Sequence, residues 1–262
     1  MGMALVTGAS AGLGLEFARL FGSDKHNLIL VARRRDKLEA LAAELEKAHG
    51  IKVCVLSADL MEPSAVEQIV AEVKAKGLQV DYLVNNAGFG SSGAFVELEP
   101  AKEVGQVTVN ISALVGLTRA FLPDMVQRKS GRILNLGSTA GFQPGPYMAT
   151  YYASKAFVNS FTEALSYELK GTGVTATVSC PGPVATEFLA VAGNDKSKLA
   201  GMGMATPAGI AREAYDAMHA GKRRIVHGLQ YKLVTLLNAF SPMPVLLAVT
   251  ASLNRKPPQL PG

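Results

Sequence analysis

The sequence predicts an α/β protein: a Rossmann-type, doubly wound parallel sheet of about seven strands with helices on both faces. Two observations carry this. Short apolar runs alternate with longer amphipathic stretches from residue 3 to residue 226, the pattern of repeated strand–helix units. The runs are also continuous rather than alternating, as expected of parallel strands buried on both faces.

The elements follow in order. Leu5-Val6 is a short buried strand, leading into Thr7-Gly-Ala-Ser-Ala-Gly-Leu-Gly14 and an apolar-periodic helix carrying Leu15, Ala18, Leu20 and Phe21. Leu28–Val31 is the second strand. Asp36–Lys47 is an amphipathic helix with Leu38, Leu41, Ala42 and Leu45 on one face. Val53–Leu56 is the third strand, and the next helix is expected to open at Pro63, since proline suits a first-turn position. Asp81–Val84 is the fourth strand. Helices near 101–126 and 151–170 flank a fifth, Arg132–Leu136. Val174–Val178 is the sixth. Thr206-Pro207 opens a helix that Gly221 closes, before a seventh strand at Arg224–Val226.

A single catalytic domain is expected over 1–228, followed by an apolar C-terminal extension over 229–262. The 262 residues carry a net charge of +5. The basic residues are dispersed, without interleaved aromatics, and there is no Trp, so a nucleic-acid surface is not expected. Cys54 and Cys180 lie in apolar runs and read as buried free thiols of a reducing compartment, with no metal-ligand cluster. The chain enters its first strand at residue 3, so a cytoplasmic location without a signal peptide is the expectation.

Right-handed crossovers put the C-terminal ends of all strands on one edge, where such sheets hold ligands. Gly8, Asn86, Ser138 and Pro181 each follow a predicted strand and converge there. The glycines at 8, 12 and 14 let the backbone approach a pyrophosphate, and the helix N-terminus adds N–H donors. Ser10 offers a hydroxyl to the same group. At the end of the second strand an acid would read a free ribose 2′-hydroxyl. The stretch reads Val31-Ala-Arg-Arg-Arg35 instead, and the Arg33 guanidinium suits a 2′-phosphate, which points to NADP(H). Asp59 fits either a hydrogen bond to the adenine amine or a helix cap.

Tyr151 and Lys155, four apart, share a helix face. A phenol ionises near pH 10, and an adjacent ammonium is expected to bring it toward the working range of an acid–base group. Tyr152 competes with Tyr151 for this part, but only Tyr151 has a lysine four residues on.

With Thr7–Gly14, Asn85-Asn-Ala-Gly88, Ser138, Tyr151-x-x-x-Lys155 and Pro181-Gly-Pro-Val-Ala-Thr186, the chain resembles a classical short-chain dehydrogenase/reductase over residues 3–228. The resemblance implies a catalytic tetrad of Asn110, Ser138, Tyr151 and Lys155. Ser138 would bind the substrate oxygen, Tyr151 would exchange the proton, Lys155 would lower the tyrosine pKa and hold the nicotinamide ribose, and Asn110 would hold a relay water. Asn110 read alone is a polar residue in a helix or at an irregular turn. Cofactor contacts are expected from Gly8, Ser10, Gly12, Leu13 and Gly14 in the first turn, and from Arg33, Asp59 and Leu60 beyond the second and third strands. Further contacts are expected from Asn86, Ala87 and Gly88 after the fourth, from Tyr151 and Lys155, and from Pro181, Gly182, Val184 and Thr186 after the sixth.

Phe142, Gln143 and Phe188 are expected to line an apolar substrate pocket. The expected activity is NADPH-dependent reduction of an apolar ketone or aldehyde, or the reverse oxidation. The alternatives are a 3-oxoacyl thioester reductase and a non-catalytic NADP(H)-sensing protein. A homodimer or homotetramer is implied by the resemblance. Residues 233–254 carry no charge, but Pro242 and Pro244 divide them into pieces too short to cross a bilayer. A lid, a subunit contact or a peripheral membrane contact through 229–253 are the readings kept open.

Overall fold

The computed structural model describes residues 2–193 and 204–255. Seven parallel strands run β1 (Met3–Thr7), β2 (Asn27–Ala32), β3 (Val53–Ser57), β4 (Tyr82–Asn85), β5 (Gly131–Leu136), β6 (Val174–Cys180) and β7 (Arg224–Val226). Their order across the sheet is β3-β2-β1-β4-β5-β6-β7. The chain reverses direction of winding between β1 and β4, which opens a crevice at the C-terminal edge.

Strand alternation divides the apolar runs between two cores. Leu5, Ile29, Leu83 and Ile133 face one side, against α3 (Ala65–Ala75) and α5 (Leu114–Gln127). Val6, Leu30, Val84 and Leu134 face the other, against α1 (Gly12–Ser23), α2 (Arg35–His49) and α8 (Pro207–His219). The register pairs Leu5 with Ile29 and Val6 with Leu30, so each layer is continuous across the sheet. Each fully buried aliphatic side chain contributes about 1.5–3 kcal/mol.

Two boundaries differ from the sequence expectation. Pro63 lies in a turn and α3 begins two residues later, because Ala65 N–H closes that turn on Glu62 C=O (3.1 Å). The helix expected around 101–126 is interrupted: α4 (Pro100–Val107) passes into a π-helical turn, Thr108–Ala113, before α5. The extension is helical, with α9 (Leu229–Asn238) and α10 (Met243–Asn254) meeting at Pro242. Residues 256–262 of the extension lie outside the described residues. The short α7 (Phe188–Ala192) and the long α6 (Ala149–Glu168) complete the fold.

A buried polar chain stitches the middle of the sheet to its helices beneath the crevice. Asn85 Nδ2 donates to Thr118 Oγ1 (3.0 Å) and Asn135 Oδ1 (2.9 Å). Asn135 Nδ2 donates in turn to Thr162 Oγ1 (2.9 Å) on α6. Linked amide and hydroxyl bonds of this kind hold elements in one arrangement, although Asn85 Oδ1 itself has no partner among the described residues.

Candidate active site

β1 ends at Thr7 and the chain turns through Gly8 (φ +67°) and Gly12 (φ +56°) into α1, a left-handed region that L side chains rarely adopt. A Cβ on Gly14 would lie 2.2 Å from Gly8 O, so the close approach of turn and helix needs glycine there. No side chain caps the N-terminus of α1, leaving its first N–H groups directed at the crevice, as an anion site requires.

The loop after β4 is tied to this turn. Thr7 Oγ1 accepts from the N–H groups of Asn86 and Ala87 (3.0 Å each). Asn86 Nδ2 donates to Thr7 O (2.8 Å). The Asn86 amide therefore shapes the crevice floor. The segment after β6 closes from the other side, with Thr186 Cγ2 within 3.1 Å of where a Gly12 Cβ would stand. Val184 forms a parallel bridge with Ala205. Leu13 packs on the α1/α2 core, and Leu60 points into the opposite one.

Of the arginines after β2, Arg34 reaches the glycine turn. Its Nε donates to Ser10 Oγ (3.2 Å) and its Nη2 to Ser10 O (3.4 Å), while Nη1 pairs with Glu187 (3.1 Å). Arg33 leans outward to Asp59 (3.9 Å). Asp59 also accepts from Met61 N–H (3.0 Å), closing the turn before α3. Arg34 was not among the residues expected at this site; two adjacent arginines leave a strand end on opposite sides, and sequence alone does not say which faces the turn.

Ser138 follows β5. Its backbone is held by Asn159, whose Nδ2 donates to Ser138 O (3.0 Å), and its Oγ accepts from Ala140 N–H (3.0 Å). The Tyr151 hydroxyl lies beside Ser138, whose own Oγ donates to Pro181 O (3.4 Å). Burial pushes the Tyr151 phenol well above its ordinary range, and the neighbouring Ser138 hydroxyl pulls it partway back. Lys155 lies one turn further along α6. Its Nζ donates to Leu136 O (2.6 Å) and stands 5.8 Å from the Tyr151 ring centroid. Burial lowers the Lys155 ammonium to about 8. Tyr151 is thus fully protonated at neutral pH, with a mostly charged lysine one turn away.

Tyr152 is engaged elsewhere: its hydroxyl donates to Asn254 Oδ1 on α10 (3.2 Å). Asn110 sits in the π-helical turn, where its Nδ2 donates to Phe89 O (3.0 Å) and Ser154 Oγ (3.0 Å) and its Oδ1 accepts from Phe89 N–H (3.1 Å). Its side chain clamps the loop after β4 to α6, beside Gly88 and Lys155 Nζ.

The expected substrate residues separate. Phe188 lies against Tyr151, ring centroids 5.0 Å apart, at the mouth of the site. Phe142 packs instead with Leu114, Val158 and Val178, under the Arg224 guanidinium (5.5 Å). Gln143 Oε1 accepts from Asn238 Nδ2 on α9. The 143–147 loop is latched twice more, by Thr250 Oγ1 on Pro144 O (3.0 Å) and Asn254 Nδ2 on Pro146 O (3.1 Å). Sequence reading also missed Glu103, a buried carboxylate that accepts from Ser91, Gln106 and Thr150. A single Glu in an amphipathic helix carries no signal of burial. Tyr231 was likewise missed: its ring fills the space over Gly182 and its hydroxyl is buried without a protein partner.

The sequence profile of the short chain dehydrogenase family matches residues 2–197. The NADP-dependent 3-hydroxy acid dehydrogenase YdfG of Salmonella typhi is 40% identical over 194 residues, covering 71% of this chain and 75% of that one. A very-long-chain 3-oxoacyl-CoA reductase of Neurospora crassa is 40% identical over 174 residues, covering 65% of this chain and 52% of the relative. Among solved structures, a short-chain dehydrogenase from Sphingobium yanoikuyae in complex with NADPH superposes with a TM-score of 0.83 at 31% identity, covering 92% and 94% of the two chains.

Proposed function

The chain belongs to the short-chain dehydrogenase family, and on that premise we propose that it is an NADPH-dependent reductase of an apolar ketone or aldehyde. The observation that carries the proposal is the Tyr151 hydroxyl beside Ser138, with Lys155 Nζ 5.8 Å from the Tyr151 ring on the same helix face.

The residues present fit a dinucleotide. The glycine turn brings backbone close, and α1 offers uncapped N–H donors. The unpaired Tyr231 hydroxyl lies over Gly182. Arg34 beside Ser10, with Arg33 next to it, would hold a 2′-phosphate, in keeping with the NADP named for the Salmonella relative. When bound, the nicotinamide supplies the hydride. Tyr151 delivers the proton to the carbonyl oxygen, and Ser138 donates a hydrogen bond to that oxygen as charge develops on it. Lys155 keeps a positive charge beneath Tyr151 and limits the cost of the phenolate left behind. Asn110 acts through structure, fixing Gly88 and Ser154 around that lysine.

Phe188 against Tyr151 at the mouth favours a neutral, apolar carbonyl. The name of the Neurospora relative favours a second reading, a 3-oxoacyl thioester reductase. NADPH consumption against a panel of aromatic ketones, aliphatic ketones and an acetoacetyl thioester separates the two. Reduction of the free ketones is the expected result; turnover of the thioester alone supports the second reading, and no turnover of any member contradicts both. Arg34→Ala is expected to raise the Kd for NADPH at least tenfold while that for NADH changes little, the loss of a charged hydrogen bond costing about 1.5–3 kcal/mol.

A further inference from the structure

The two C-terminal helices are built inside-out. On α9 the residues turned toward the body are Tyr231, Thr235 and Asn238, at helical spacing, and each is partly buried. The opposite stripe is Leu229, Leu233, Leu236 and Leu237, continuing to Phe240, and it stands in solvent, Leu229 at 81% and Phe240 at 82% exposure. A surface helix of a free-standing domain shows the reverse arrangement. α10 buries Leu246, Thr250 and Asn254 at every fourth position while Val245 and Val249 remain half exposed. Ten of the eighteen large apolar side chains exposed among the described residues fall between Leu229 and Val249. Single exposed apolar residues are ordinary; a contiguous group marks a contact surface.

Charge identifies what the surface meets. Residues 217–262 hold six of the 26 Lys and Arg residues and none of the 21 Asp and Glu. The other 216 residues therefore hold 20 basic against 21 acidic groups; of the six, Arg223 and Arg224 pair with Glu163 on α6. Lys232 and Arg255 flank the apolar face and make no ion pair with any described residue. A second copy docked through the same face would bring these cations together with no acid to receive them. An anionic membrane surface meets both features, taking the apolar stripe into its acyl boundary and the cations at its headgroups. Neither helix is long enough to cross it: α10 has twelve residues, against roughly twenty for a span.

We infer that α9 and α10 form a monotopic docking face for an anionic lipid bilayer. The face lies on, and does not pierce, the membrane. Its inner side is the same one that latches the 143–147 loop through Asn238, Thr250 and Asn254, so the docked protein holds its substrate-side loop next to the lipid. The inference stands on surface and charge and does not require the proposed activity.

The test is flotation of the full chain with phosphatidylcholine vesicles, with and without phosphatidylserine, at low and high salt. The protein is expected to float with the phosphatidylserine vesicles, and added salt is expected to weaken this. Leu237→Ser/Phe240→Ser should reduce partitioning at least tenfold, and Lys232→Glu by roughly five- to tenfold. Tyr167→Ser, which alters an exposed residue near the C-terminal end of α6, should leave it unchanged. NADPH binding, read by fluorescence on each variant, reports folding independently of turnover. Wild-type protein that stays in the buffer with both vesicle types overturns the proposal. So does a stable dimer in light scattering that the double substitution dissociates, since the face would then belong to a second copy.

Discussion

Tyr151 and Tyr152 have the same chemistry and opposite attachments. The first lies against Phe188 in the crevice, beside Ser138; the second donates to Asn254 and holds the C-terminal helices to the body. Tyr152→Phe is therefore expected to lower stability by about 1 kcal/mol, the worth of one buried hydrogen bond, with kcat nearly unchanged. Denaturant titration and steady-state rates on the same sample check both halves. The residue four positions on separates the two tyrosines in the sequence, but nothing there shows that burial raises the Tyr151 phenol. Lys155 itself yields a pH test. Its folded-state value is depressed to about 8 from 10.5, so the buried ammonium costs stability below about pH 8, and that cost is released as pH rises from there to the unfolded value. Relative to Lys155→Met, the wild-type unfolding free energy should rise by on the order of 3 kcal/mol between pH 7 and 10.5. Parallel pH curves for the two proteins would contradict the assignment.

At the scale of elements, the seven strands and their shared C-terminal edge were legible, because continuous apolar runs between amphipathic segments leave few other arrangements. Helix interiors were legible for the same reason. The start of α3 was not, since a proline is as much at home in the preceding turn as in the first turn of a helix. The π-helical turn around Asn110 left no pattern either; it exists because the Asn110 amide is clamped to Phe89 and Ser154. Asn110→Ala strands those groups and is expected to destabilise the fold by about 1–3 kcal/mol. Faster amide exchange at Phe89, whose N–H loses its acceptor, reads the loosening locally. In the glycine turn, Gly14→Ala places a methyl group against Gly8 O and the Asn86 amide. It should cost about 1–3 kcal/mol and weaken nucleotide binding more than any alanine substitution elsewhere in α1. Isothermal titration with NADPH checks this, and unaltered affinity would show that the turn does not cradle the phosphates.

On the scale of the whole molecule, one edge of the sheet gathers the glycine turn, the Asn86 loop, Ser138 and the Pro181 segment, while α9 and α10 fold back over the 143–147 loop. The first convergence was readable from topology. The second was not, because hydropathy marks the tail as apolar without saying which side of each helix faces the body. The dispersal of Phe142 and Gln143 into packing and latching positions has the same origin: a loop's side chains take directions that spacing does not encode. Asn254→Ala removes a latch on Pro146 and the partner of Tyr152, and is expected to raise KM for the carbonyl substrate more than it lowers kcat. The central claim is that Tyr151 passes the proton while the nicotinamide is bound beside it. The most direct test is Tyr151→Phe, with NADPH affinity and kcat for ketone reduction measured on one preparation. The account requires affinity close to wild type with kcat lower by about 10²–10⁴; a kcat within a few-fold of wild type would contradict it.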